Sequence, residues 1–343
     1  MSQCCNCGAK LPATKVCPEC DQVQSVSVGD SIRYHLRRNS GLRYLYRVLK
    51  LNYLLQKTGN YRFLFPYTPG HYYSPIPDYK EVLAKSQVLF DTDTTECRGI
   101  DLQEDAHREL IDVFSDYYED FPFPFRPSEN WRYYYANNWF SGADAVILYS
   151  ILRHFRPSRV VEIGSGFSSA AMLDVNDIFL SKKINFTFIE PYPERLFSLI
   201  EYEDRNRYVV LQRRVQDVPL EVFQALSAND VLFVDSSHVV KIGSDVAHIV
   251  FNILPELRPG VIVHFHDIFW PFEYPREWLL ELDDGRAWNE AYFLRSFLQF
   301  NDAFEIMYFS SFVARRHANV LREKMPLALK GPSSLWVRKN HIT

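Results

Sequence analysis

From Arg159 onward the chain alternates short apolar runs with amphipathic stretches. Runs at 159–163, 185–190, 207–212, 230–235, 260–265, 303–310 and 334–338 predict strands. Helical stretches fill most gaps, and the last two strands are expected to join without an intervening helix. Such alternation builds a mostly parallel sheet with helices on both faces, because each apolar run must be covered twice. The predicted fold class is therefore α/β, a doubly wound seven-stranded sheet.

The N-terminal part has no such rhythm. Residues 31–57 read as a helix or helix pair broken near Asn39-Ser40-Gly41, with Leu42, Leu45, Tyr46, Leu49 and Tyr53 at helical spacing. Residues 61–80 are dense in Tyr, Phe and Pro and read as an ordered wrap, since proline blocks helix while aromatics supply burial. Further helices are expected over 104–118 and 141–153. Three parts follow: 1–24, a helical and proline/aromatic-rich region over 25–130, and the sheet domain over 131–343.

Composition narrows the class. The 343 residues are 47% hydrophobic and 23% charged with a net charge of −4, which suits a globular chain without general affinity for nucleic acid. No secretory h-region or run long enough to span a bilayer is seen, so a cytoplasmic location is expected. Five of the six cysteines then need a role other than disulfides. Cys4/Cys7 and Cys17/Cys20 form two C-x-x-C pairs, the spacing of two knuckles that hold a structural tetrahedral zinc. Between Ser31 and Pro77 there is no acidic residue but eight basic ones, from Arg33 to Arg62. The basic 31–62 region could dock an anionic surface or a protein, or be a solvated face.

Val160-Val161-Glu162-Ile163-Gly164-Ser165-Gly166 ends the first strand and opens a helix. Glycines there let the backbone turn tightly beside a ligand. Ser169 stands where a dinucleotide fingerprint has its third glycine. Glu190 ends the second strand, where a carboxylate can accept both ribose hydroxyls, and Val215-Gln216-Asp217 follows the third. On these motifs the chain, over about residues 130–340, resembles class I S-adenosylmethionine-dependent methyltransferases. The resemblance implies a seven-stranded Rossmann-like fold and S-adenosylmethionine as cofactor. It places Glu162, Gly164, Ser165, Gly166, Glu190 and Asp235 in the cofactor site, with Gln216 or Asp217 near the adenine.

The fourth strand ends Asp235-Ser236-Ser237-His238 and the fifth His264-Phe265-His266-Asp267. In a doubly wound sheet these ends converge on the ligand crevice. Two chemistries fit. His238 or His266, with Asp235, could be a general base that deprotonates a hydroxyl. Alternatively Asp235, His266 and Asp267 could hold a divalent cation such as magnesium. The second arrangement resembles macrolide-sugar O-methyltransferases, but His266 stands where that pattern has a carboxylate. The Asn/Asp-Pro-Pro-aromatic tetrad of base-modifying methyltransferases is absent, so a nucleic-acid acceptor is disfavoured. Asn138, Trp270, Tyr274 and Arg286 are candidates to contact the acceptor, a small hydroxylated molecule or glycan, with aromatic rings suited to sugar faces. Rival readings are a metal-dependent oxidase or hydroxylase on the same sheet, and a non-catalytic docking module.

Overall fold

The computed structural model describes residues 67, 70–280 and 287–340. The four expected zinc ligands, Cys4, Cys7, Cys17 and Cys20, lie outside the described residues, as do the basic 31–62 region and Arg286. The zinc expectation therefore gains no support from the fold. The sixth cysteine, Cys97, is buried with a free thiol.

All seven expected strands are present: β1 (Arg159–Ile163), β2 (Asn185–Ile189), β3 (Val209–Leu211), β4 (Val231–Val234), β5 (Ile262–Phe265), β6 (Phe304–Phe309) and β7 (Leu335–Lys339). They form one sheet in the order β3-β2-β1-β4-β5-β7-β6. β1 to β5 run parallel, and β7 is antiparallel to both β5 and β6. Every residue of β4 and β5 is buried. That is why they read as continuous apolar runs rather than alternating ones: helices cover both faces.

The β6–β7 connection corrects the sequence reading. Helices Ser310–Arg316 and Ala318–Lys324 lie between the two strands. The first begins on the residue after β6 with no polar spacer, so the strand's apolar run masks the helix start.

The helices Ala143–Phe155 and Phe167–Phe179 are buried over their first ten residues. Glu104–Tyr118 is amphipathic and buries His107, Ile111 and Phe114, spaced four and three apart. His107 is neutral and oriented: Nδ1 donates to the Gln103 carbonyl at 2.8 Å and Nε2 accepts from the Phe309 amide at 3.0 Å. Burial pushes its pKa down to about 4.

The segment leading into the domain is clamped by Arg132. Its guanidinium meets Asp174 at 2.9 Å, Asp177 at 3.0 Å and Asp204 at 2.7 Å, and Asp174 also accepts the Tyr133 amide at 2.9 Å. Asp174 and Asp204 are nearly buried, so removing the cation strands two carboxylates. Arg132→Ala is expected to lower unfolding stability by about 3 kcal/mol or more. Thermal and urea unfolding would measure the loss, and a change below about 1 kcal/mol would show the clamp to be dispensable.

Candidate active site

The site is built where strand order reverses, between β1 and β4. Gly164 leaves β1 with φ of 81°, in the left-handed region. A Cβ there would overlap the backbone carbonyl of Asp235. The turn is stitched to both neighbours: Gly164 N–H donates to the Ile189 carbonyl at 3.0 Å, and Asp235 N–H donates to the Ile163 carbonyl at 2.9 Å.

Glu162 lies fully buried beneath this loop. It accepts the Ser168 hydroxyl at 2.6 Å and the Ser169 hydroxyl, while Ser169 Oγ accepts the Gly166 amide at 2.9 Å. Burial pushes the Glu162 carboxyl up to about 8, against the opposing pull of the two serines. Ser169, in the place of a third glycine, thus fastens the loop to the helix it opens.

Glu190 is oriented by two amides, Ser165 N–H at 3.1 Å on Oε2 and Tyr192 N–H at 2.8 Å on Oε1. Each oxygen keeps a lone pair for a hydroxyl donor. Gln216 bonds the Gly243 carbonyl at 2.9 Å, and Asp217 sits in an exposed ion pair with Arg214 at 3.0 Å. Of that pair, Gln216 is therefore the residue tied to the loop after β4.

At the carboxyl end of β4, Asp235 Oδ1 lies 3.3 Å from His238 Nε2, and His238 Nδ1 lies 2.8 Å from Glu290 Oε2. His238 and Glu290 are buried, whereas the Asp235 side chain is 33% exposed. The chain of three groups therefore runs from the interior to one carboxylate facing outward. Burial alone would make His238 neutral, but hydrogen bonds to Asp235 and Glu290 outweigh it and raise its pKa to about 10. For Asp235, burial pushes upward, while His266 and the His238 bond hold the carboxyl below its ordinary value. Burial pushes Glu290 up despite its bond to His238. Both ring nitrogens of His238 thus face carboxylates, an arrangement that favours the charged ring.

Because the folded pKa of His238 is raised, its stabilising contribution is complete below the unfolded value of about 6.5 and is lost as pH rises towards 10. Wild-type protein is expected to lose thermal stability across that window. His238→Gln is expected to give a flatter profile, starting lower. Equal slopes for the two proteins would contradict the charged ring.

His266 follows β5 and packs against Phe140, with ring centroids 5.3 Å apart. Among the described residues its Nδ1 has no hydrogen-bond partner, and its Nε2 is 3.8 Å from Asp267 Oδ1. Burial pushes its pKa down, but Asp267, Asp235 and Asp144 together raise it. Asp144 is buried and accepts the Ser333 hydroxyl at 2.6 Å. Both strand-end loops include a residue with positive φ, His238 at 58° and Asp267 at 55°, a conformation uncommon outside glycine.

The divalent-cation expectation gains no support from the structure. Asp235 Oδ1 lies 3.3 Å from His238 Nε2, and Asp267 Oδ1 lies 3.8 Å from His266 Nε2. Among the described residues no group of three or more His, Cys, Asp or Glu side chains could hold a metal ion.

Of the acceptor candidates, Trp270 is buried against Phe312 at 4.8 Å and Phe309 at 6.0 Å, and belongs to the core. Tyr274 lines a cavity, and Asn138 is an exposed loop tip. Its neighbour Asn137 is the structural member: its side chain donates to the Tyr134 and Phe140 carbonyls and accepts the Trp139 and Phe140 amides. Beside it, Trp139 is 60% exposed and stacks on the Arg195 guanidinium at 3.4 Å. The Arg195 stem in turn lies against Gly166, where a Cβ would come within 3.2 Å of it.

Sequence reasoning missed Glu290, Arg195 and Asp144. Glu290 opens a helix, so it reads as an ordinary first-turn acid. Asp144 did carry a signal, a lone acid in an otherwise apolar helix start.

A family model described as a methyltransferase domain matches residues 161–268. An uncharacterized protein of Archaeoglobus fulgidus is 37% identical over 171 residues, which cover 48% of this chain and 75% of that protein. Among solved structures, the SAH-bound methyltransferase PaMTH1 of Podospora anserina superposes with a TM-score of 0.39 at 14% identity, covering 78% of this chain and 99% of that one. The O-methyltransferase TomG of Streptomyces achromogenes, involved in tomaymycin synthesis and solved with SAM, gives a TM-score of 0.38 at 14% identity, covering 76% and 96%.

Proposed function

We propose that this chain is a class I S-adenosylmethionine-dependent methyltransferase that methylates a hydroxyl oxygen of a sugar, glycan intermediate or other small hydroxylated metabolite. Its residues fit that cofactor. The left-handed turn at Gly164 leaves the loop backbone bare, and Glu190 presents two oriented oxygens to a diol. Gly164, Ser165, Gly166 and Glu190 would hold it, with Gln216 towards the adenine. When bound, S-adenosylmethionine supplies a methyl group on a sulfonium sulfur.

The observation that carries the acceptor chemistry is the Asp235–His238–Glu290 chain beside the glycine loop. Asp235 accepts a hydrogen bond from the acceptor hydroxyl and aims an oxygen lone pair at the methyl carbon. His238, held from behind by Glu290, fixes the carboxylate and keeps it ionised. His266 adds positive charge on the other side of Asp235, which accounts for the depressed Asp235 pKa. A weakly basic carboxylate suffices here, because an oxygen that gains a methyl becomes strongly acidic at once. Asp235 then holds the released proton. In this reading the histidines tune the base and do not act as it.

The test is a radiolabel transfer screen from methyl-labelled S-adenosylmethionine to hydroxylated small molecules, including sugar nucleotides and lipid-linked glycans. Product with label on oxygen is expected for at least one class. Oxygen uptake without label transfer would sink the proposal in favour of an oxidase, and absence of S-adenosylmethionine binding by calorimetry would favour a docking module.

A further inference from the structure

Asp144 is a buried acid in the first turn of the helix Ala143–Phe155. An acid in that position ordinarily serves the free amides of its own helix or faces water. Asp144 instead reaches across to the segment that leads into β7. Its Oδ1 accepts the Ser333 amide at 3.2 Å and its Oδ2 the Ser333 hydroxyl at 2.6 Å. The helix start is docked on the same segment. Ala143 N–H donates to the Lys330 carbonyl at 2.7 Å, and a Cβ on Gly142, at φ of 65°, would overlap that carbonyl.

Ser333 passes this hold to the site. β4 and β5 pair Val234 with Phe265, so the next residues, Asp235 and His266, leave the sheet side by side. The His266 amide donates to the Val234 carbonyl at 2.9 Å, and the Ile268 amide donates to the Ser333 carbonyl at 2.7 Å. Asp267, between these two pinned residues, has φ of 55°. A left-handed backbone outside glycine costs free energy and persists only where its surroundings over-determine it. Here the two flanking amides supply the constraint, one bonded to β4 and the other to Ser333. Ser333 is in turn held by both oxygens of Asp144.

We propose that Asp144 is a positioning residue of this site, acting through Ser333 on the turn that carries His266 and Asp267. That the turn serves methyl transfer rests on the reading above. The bracket rests on its own bonds. Its two ends also meet around the His266 ring, which packs on Phe140, just before the helix start. Burial pushes the Asp144 carboxyl up, and His266 with the Ser333 and Ser334 hydroxyls offsets part of that push. The buried acid is thereby compensated by the same residues that it holds.

The experiment compares Asp144→Asn and Ser333→Ala with wild type in the full chain. Amide hydrogen exchange at Ile268 and the ring resonances of His266 are followed by NMR at fixed pH, with His266→Gln to assign the ring. Calorimetry of S-adenosylhomocysteine binding and thermal unfolding are run on the same samples. Both variants are expected to accelerate Ile268 exchange about fivefold or more and to move the His266 ring resonances. Ser150→Ala is the control. It removes another buried hydroxyl of the same helix, one that donates to the Val146 carbonyl at 2.9 Å. It should lower the unfolding temperature while leaving Ile268 and His266 as in wild type. Unchanged Ile268 exchange and His266 resonances in either folded variant overturn the proposal. Equal changes in Ser150→Ala also overturn it, because they report general loosening of the helix. If Asp144→Asn does not fold, Ser333→Ala decides by the same two readings. S-adenosylhomocysteine binding by wild type with an unmoved turn in the variants defeats this inference alone. A moved turn in a protein that binds no S-adenosylhomocysteine supports the bracket and counts against methyl transfer.

Discussion

Gly164→Ala is expected to abolish measurable S-adenosylmethionine binding, a loss of about a hundredfold or more. Two independent penalties fall on the same atom. The backbone sits at φ of 81°, where an added Cβ is strained whatever the space around it. The Cβ would also overlap the Asp235 carbonyl oxygen, which belongs to backbone and cannot rotate away. Relief requires β1 and β4 to part at the place where Asp235 N–H bonds the Ile163 carbonyl, so the cofactor loop and the Asp235 carboxylate are displaced together. A drop in unfolding stability of about 3 kcal/mol accompanies the change. Gly166→Ala is the control. Its backbone is extended, and its Cβ would meet only the flexible Arg195 stem at 3.2 Å, so an effect of a few-fold is expected. Calorimetry and thermal unfolding on both variants would check this. Near-wild-type binding by Gly164→Ala would mean that the loop is not where the cofactor lies.

Asp235→Asn is expected to lower methyl transfer by about a hundredfold or more while leaving a folded protein. The amide is the same size but accepts a proton poorly, and it loses the attraction of His238 and His266. Because His238 is then flanked by one carboxylate instead of two, its pKa should fall from about 10 towards the ordinary value. Proton NMR of the ring would follow that shift independently of activity. A large activity loss with an unchanged His238 titration would argue that Asp235 touches the acceptor but is not coupled to the buried pair. Full activity in Asp235→Asn would remove it from the chemistry.

The sheet was legible because its signal is local. Each strand is a short apolar run flanked by turn residues, and seven such runs were enough to fix class and approximate boundaries. The turn after β1 was legible for a similar reason, since Gly164, Ser165 and Gly166 adjoin and Glu190 closes the next strand. What the sequence could not give was pairing across long separations. His238 stands at a strand end as expected, but one of the two carboxylates that raise its pKa, Glu290, lies 52 positions away. Asp235, His266 and Asp267 follow β4 and β5 as expected, but spacing does not encode which of them meet, and His238 turns out to lie between Asp235 and Glu290. Trp270 and Tyr274 were both read as candidate acceptor contacts. Tertiary packing divides them, sending Trp270 to the core and Tyr274 to a cavity wall.

The Arg132 clamp and the burial of Phe140 against Phe233 and His266 have a kinetic consequence. Together they fix both ends of the segment that carries Trp139, so that segment is poorly suited to swing as a hinged lid. What lies over the glycine loop is instead a stacked pair of side chains, Arg195 and the exposed Trp139. Exposed side chains exchange rotamers in picoseconds to nanoseconds, whereas lid opening takes microseconds to seconds. Cofactor entry should therefore proceed at the rate of diffusional encounter, without a slow opening step, and stopped-flow traces should show a single phase whose rate rises linearly with ligand concentration.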